Sequence, residues 1–157
     1  MSQHTDLIHQ FYEAFAAHDA AAMTACYHPE VEFTDPAFGS LKGKEAIAMW
    51  HMLISRAKGK LTISHAEVED TSVGGTAKWE AHYVFGSNKR KVHNRIKANF
   101  TIQDGLIVKH EDEFDLKKWA KMALGPFGGF MANFSFFRQK IQSQSRTLLK
   151  RYIEKNT

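Results

Sequence analysis

Apolar residues recur at helical spacing near the start of the chain. Leu7, Ile8, Phe11, Ala14 and Phe15 would share one face, and Thr5 can cap it, so residues 5–18 are predicted to be helical. Asp19 can cap a second, short helix through Met23 and Tyr27, which His28-Pro29 would end. Then the period changes. Val31-Glu32-Phe33-Thr34 alternates as a short strand that stops at Asp35-Pro36. Gly39 and Gly43 mark a loop. Residues 44–58 return to the helical period and carry Ile47, Trp50, Met52 and Ile54.

Four strand-like segments follow, at residues 61–70, 76–86, 91–103 and 106–115. Turn chemistry joins them: Val73-Gly74-Gly75, Ser87-Asn88-Lys89 and Asp104-Gly105. The last pair is a strong tight-hairpin signal. Lys89-Arg90-Lys91 reads as a solvated hairpin tip. Helices first and an antiparallel meander afterwards mean an α+β fold. Past Asp115 the pattern is helical again. Leu116-Lys117-Lys118-Trp119 starts a helix that Gly125-Pro126 breaks, and residues 127–137 hold five Phe around Gly128-Gly129. A final helix over residues 133–155 is predicted to carry Phe134, Phe137, Ile141, Leu148 and Tyr152 on one stripe, with basic residues opposite.

Charge sharpens this division. Residues 115–157 carry nine Lys/Arg against Asp115 and Glu154, so the net charge of +4 belongs to the tail and the body is mildly acidic. A basic tail hints at an anionic surface partner. The start, MSQHTDLIHQ, lacks the basic and apolar regions of a signal peptide. Cys26 is the lone cysteine, which excludes an internal disulfide and fits a reducing, cytoplasmic setting. It reads as a small buried residue rather than a nucleophile. Nine His residues include no His-x3-His pair, and there is neither a Gly-rich phosphate loop nor a Gly-x-Ser-x-Gly motif, so no metal and no cofactor are expected. No nucleic-acid partner is expected either.

Three stretches carry a family resemblance. Phe11-Tyr12-Glu13-Ala14-Phe15 followed by His18-Asp19 is the first. Residues 27–36, Tyr-His-Pro-Glu-Val-Glu-Phe-Thr-Asp-Pro, followed by Gly43-Lys44-Glu45-Ala46-Ile47, form the second. Residues 104–115, which open on Asp104-Gly105 and include His110-Glu111-Asp112, form the third. In this order they resemble the SnoaL-like and ketosteroid-isomerase-like branches of the NTF2-like superfamily, over residues 5–115. The resemblance implies a cone, in which a curved antiparallel sheet wraps the N-terminal helices around an apolar pocket, and a homodimer formed through the convex sheet face. It implies a domain at 1–115 with an extra C-terminal helical extension at 116–157. Family members include isomerases, cyclases, dehydratases, epoxide hydrolases and plain binding proteins, so the fold does not select one.

Strand alternation puts His110 and Asp112 on one face. If that face looks inward, two polar groups share a dry wall and can move a proton near neutral pH; if outward, they belong to a charged surface strand. The resemblance favours the inward choice. It also matches Asp35 to the base of the isomerase branch, although an Asp before Pro equally suits a plain turn. That branch further needs a Tyr on the first helix and an acid on the third long strand. Phe11 stands in register with the Tyr, Tyr12 lies one place off, and the acid position falls on Ala98 or Lys97. Classical ketosteroid isomerase chemistry is therefore not expected. The catalytic candidates are Asp112, His110 and Asp35. The ligand-contact candidates are Asn94, Trp50, Tyr12, Phe114 and Ala98, with Trp50 and Trp79 equally suited to plain core. His93, Arg95 and Lys97 would face outward.

Two functions fit: a cofactor-independent isomerase, cyclase or dehydratase acting on a small apolar carbonyl-type molecule, or a non-catalytic ligand-binding or dimeric interaction module. Three tail readings stand beside them. It can close the pocket mouth, swap into a dimer, or lie on an anionic membrane surface.

Overall fold

Ser2, rather than Thr5, opens the first helix. Its hydroxyl accepts the Thr5 amide at 3.1 Å, and α1 (Gln3–Ala16) buries Ile8, Phe11, Tyr12 and Phe15 at the expected spacing. The computed structural model describes residues 2–157. Asp19 caps α2 (Ala20–Thr24), which ends three residues before Tyr27. Tyr27 instead begins β1 (Tyr27–Asp35), a longer strand than its alternation predicts. The predicted loop at Gly39 is strand β2 (Gly39–Lys42), hydrogen-bonded antiparallel to β1. Helix α3 (Lys44–Ala57) buries Ala46, Met49, Trp50 and Met52.

Strands β3 (Thr62–Asp70), β4 (Gly74–Phe85), β5 (Arg90–Gln103) and β6 (Leu106–Glu113) form the meander. Gly74 is the first strand residue rather than a turn residue, and a Cβ there would meet the Phe100 carbonyl oxygen at 2.2 Å. Asp104 and Gly105 turn tightly, both with positive φ, 52° and 78°. The six strands lie in the order β2-β1-β6-β5-β4-β3. All neighbours are antiparallel except β1 and β6, which run parallel. That pair brings the first strand of the chain beside the last. The sheet is curved and unclosed, and α1 and α3 pack on its inner face around Phe11, Phe33, Trp50 and Phe100.

Three more helices follow, α4 (Leu116–Leu124), α5 (Pro126–Met131) and α6 (Ser135–Lys155). Helix α4 lies on β5, and α6 lies on α3. The hairpin tip Lys89-Arg90-Lys91 is exposed, as expected, and the Arg90 guanidinium also donates to the Met122 carbonyl at 2.9 Å. The buried seam of α6 runs through Ile141 and Leu149, while Leu148 is 40% exposed. Ile141 and Tyr152 lie on the predicted stripe, whereas Phe134 and Leu148 fall off it. Arg146 on the same helix reaches the Phe38 and Ser40 carbonyls at 2.7 and 3.2 Å, and Gln142 reaches that of Pro36 at 3.2 Å. Those bonds hold the turn between β1 and β2 from outside.

Candidate functional site

Alternation along β6 buries His110 and Asp112 on the inner face, at 0% and 5% exposure, between exposed Lys109, Glu111 and Glu113. The two side chains meet, with His110 Nε2 2.8 Å from Asp112 Oδ1. On its other side His110 Nδ1 lies 2.7 Å from the Tyr27 hydroxyl. Trp50 Nε1 donates to that hydroxyl at 2.8 Å, and Trp79 Nε1 donates to Asp112 Oδ1 at 3.3 Å.

Indole N–H groups only donate, and this fixes the direction of the chain. Tyr27 accepts from Trp50, and burial pushes its phenol well above the ordinary range, so it keeps a proton to give. The phenol O–H therefore donates a hydrogen bond to His110 Nδ1. The imidazole is then the tautomer that donates from Nε2, and Asp112 accepts from both sides. Aromatic rings enclose the imidazole. Phe100 stacks on it at 4.3 Å, Phe33 and Phe11 meet it edge-on at 5.1 and 5.4 Å, and Trp50 lies parallel at 6.0 Å. His110 thus has no solvent contact, and both its ring nitrogens are engaged.

One buried polar atom in this region lacks a partner, the Tyr12 hydroxyl. Tyr12 is fully buried, stacked on His65 at 5.1 Å. Burial, and after it the Asp112 charge, hold its phenol well above the usual range, so it too stays protonated. Phe11, the residue in register with the isomerase tyrosine, is an apolar ring of the His110 cage.

Asp35 ends β1 at the open end of the sheet. It is crowded by protein yet still partly reached by solvent. Burial pushes its carboxyl up to about 7; a bond from the Phe38 amide at 2.6 Å opposes that shift, and the Asp112 charge adds to it. Tyr83, half-buried on β4, also feels the Asp35 charge, and its hydroxyl accepts from Trp119 of α4 at 2.7 Å. The tail therefore covers this end of the sheet. Asn94 and Ala98 alternate on the inner face of β5, at 9% and 0% exposure, and Ala98 sits directly opposite Asp112. Phe114 follows β6 and is partly buried against the core. The structure thus gathers Asp112, His110, Trp50 and Tyr12 at the closed end, and Asp35 and Asn94 nearer the open one.

Tyr27 is the group that sequence reasoning missed. Its parity with Val31, Phe33 and Asp35 was a signal, but exposed Pro29 interrupts it, and pairing with β6 slips between Tyr27 and Glu32. A second missed cluster lies on the outer face. Glu80, His82 and His93 hold ligand atoms within 4.8 Å of one another and are the one group of residues described that could hold a metal. Its members come from two strands, so no sequence spacing betrays it.

Residues 8–110, which include β1 and β6 as far as His110 but stop before Asp112, match the SnoaL-like domain family. The chain belongs to that family. Among solved structures, this SnoaL-like chain is similar to an NTF2-like protein of unknown function from Burkholderia pseudomallei. The two are 18% identical, over 78% of this chain and 98% of that one, with a TM-score of 0.68. It is similar to TerC, solved with polyporic acid (17% identity, 77% and 98% covered, TM-score 0.67). An LEH-like epoxide hydrolase from M. tuberculosis aligns over 84% of this chain and 97% of its own, at 15% identity and a TM-score of 0.62. At these identities the likeness establishes the fold. No curated protein matches the chain in sequence.

Proposed function

We propose that this SnoaL-like protein binds a small apolar, carbonyl-type molecule at the open end of its sheet and catalyses proton transfer on it without a cofactor, in an isomerisation, cyclisation or dehydration. The observation that carries the reading is the pairing of two carboxylates in unlike surroundings. Asp112 is fixed by His110 and Trp79, whereas Asp35 is reached by solvent and is pushed up to about 7. A carboxyl that titrates near neutrality gives and takes protons with the least mismatch. In this reading Asp35 exchanges the proton, and the buried Asp112 acts on it through its charge, which helps to hold the Asp35 carboxyl up. His110 and Tyr27 position Asp112 from behind. Similar structures solved with polyporic acid or named for epoxide hydrolysis are consistent with a small-molecule site.

Deuterium exchange into cyclic ketones and β-diketones, followed by proton NMR in heavy water, tests this directly. Wild type is expected to catalyse exchange. Asp35→Asn and Asp112→Asn should each lose it by about 100-fold or more while remaining folded. Exchange at wild-type rate in both variants sinks the proposal.

A second reading has its own support: both ring nitrogens of His110 are satisfied inside the aromatic cage, as in a purely structural network. A non-catalytic binding module on the same fold would show thermal stabilisation by the same ketones with no exchange in the wild type.

A further inference from the structure

Helix α5 is built inside out. Its two glycines, Gly128 and Gly129, are buried, while Phe127 and Phe130 are 73% and 58% exposed. Close packing on α4 explains the glycines. A Cβ at 128 would stand 2.5 Å from Leu124 Cβ, and one at 129 would stand 3.0 Å from Lys121 Cβ. Surface helices ordinarily turn their large apolar side chains inward. Here the small residues face the protein and the large ones face out. Phe134 and Phe136, 43% and 55% exposed, continue the patch, with ring centroids 5.6 Å from Phe130 to Phe134 and 5.8 Å from Phe134 to Phe136. Four outward phenyl rings in one run exceed the scattered apolar exposure of an ordinary surface.

Cations surround them. Lys117, Lys118, Lys121, Arg138 and Lys140 are exposed, and among the described residues none is paired with a carboxylate. A groove of about 590 Å³ beside the patch is walled by the three lysines of α4 and by Pro126, Gly129 and Phe130 of α5. Its one acid, Asp115, is engaged in capping α4.

This combination selects the partner. A second copy docked by a two-fold axis would bring five cations against five, and like charges face to face oppose association. An anionic bilayer answers both features: phenyl rings enter the acyl boundary while ammonium groups sit at the phosphate level. We infer that the α4–α5 face, with the start of α6, docks the protein on an anionic phospholipid surface.

The test is co-sedimentation of the full chain with vesicles of phosphatidylglycerol and phosphatidylcholine in equal parts, against phosphatidylcholine alone. The wild type is expected to pellet with the anionic vesicles and to be released by salt. Lys117→Gln, Lys118→Gln and Lys121→Gln together should weaken partition on the order of 100-fold. Phe127→Ser with Phe130→Ser should weaken it at least tenfold, and because both side chains are exposed the thermal midpoint should hold. Failure of the wild type to pellet, or equal partition of wild type and both variants, overturns the inference. So does a solution dimer that the Phe variant converts to monomer without vesicle binding, and so does retention of single-stranded DNA in preference to vesicles.

Discussion

His110 and Asp35 stand on neighbouring strands of one inner face and occupy opposite surroundings. His110 has no solvent contact, five aromatic neighbours and a partner for each nitrogen. Asp35 keeps solvent contact, and its recorded hydrogen bond comes from a backbone amide in its own turn. Both are ionisable residues in a largely apolar wall, yet only the second is free to exchange protons with anything outside the fold. The contrast separates two jobs that a polar residue in a core can do. A fully satisfied group fixes geometry, and a partly satisfied one near solvent carries chemistry.

The largest effect should come from breaking the closed end. His110→Ala would leave Tyr27 and Asp112 without their shared partner and open a void among aromatic rings. A loss of about 3–5 kcal/mol in urea-unfolding stability is expected. A loss below about 1 kcal/mol would show that the cage is not a structural unit.

The open end should reveal itself through pH. In the folded protein Asp35 holds its proton up to about 7, against an ordinary value of 3.8. Between those values the unfolded chain has released a proton that the folded one retains, so stability falls as pH rises from about 4 to about 7, then levels off. Allowing for solvent screening, the fall is roughly 2 kcal/mol. Asp35→Asn should flatten that part of the profile, and an unchanged slope would mean that another group sets it.

The smallest effect sharpens the comparison within the closed end itself. Tyr27→Phe removes a hydroxyl with two partners and should cost about 2 kcal/mol, whereas Tyr12→Phe removes an orphaned one and should cost under about 1 kcal/mol or even stabilise. Equal thermal shifts for the two would indicate that Tyr12 has a partner, such as ordered water.

Much of this was legible in the chain. The β5 face of Asn94, Ile96, Ala98, Phe100 and Ile102 follows from alternation alone, because a long central strand has one wet and one dry side. The His110–Asp112 pair was legible for the same reason. Tyr27 was not, since a helix-stopping His-Pro and an edge proline in a strand look alike locally, and only the parallel β1–β6 pairing decides between them. Asp35 could be named but not weighed. Its turn chemistry is visible in the sequence, whereas its elevated titration depends on burial and on Asp112, seventy-seven positions later. On α6 Leu148 was chosen over Leu149 because the two are adjacent, and which one is buried is set by packing on the body.

The Arg146 bonds to Phe38 and Ser40 span 108 and 106 positions along the chain. In the order of synthesis this matters. A growing polypeptide has made every strand of the sheet, and can build the cage around His110, before Arg146 has left the ribosome. The turn that carries Asp35 then waits for its outer clamp. The turn around Asp35 is the part of the sheet that is set last.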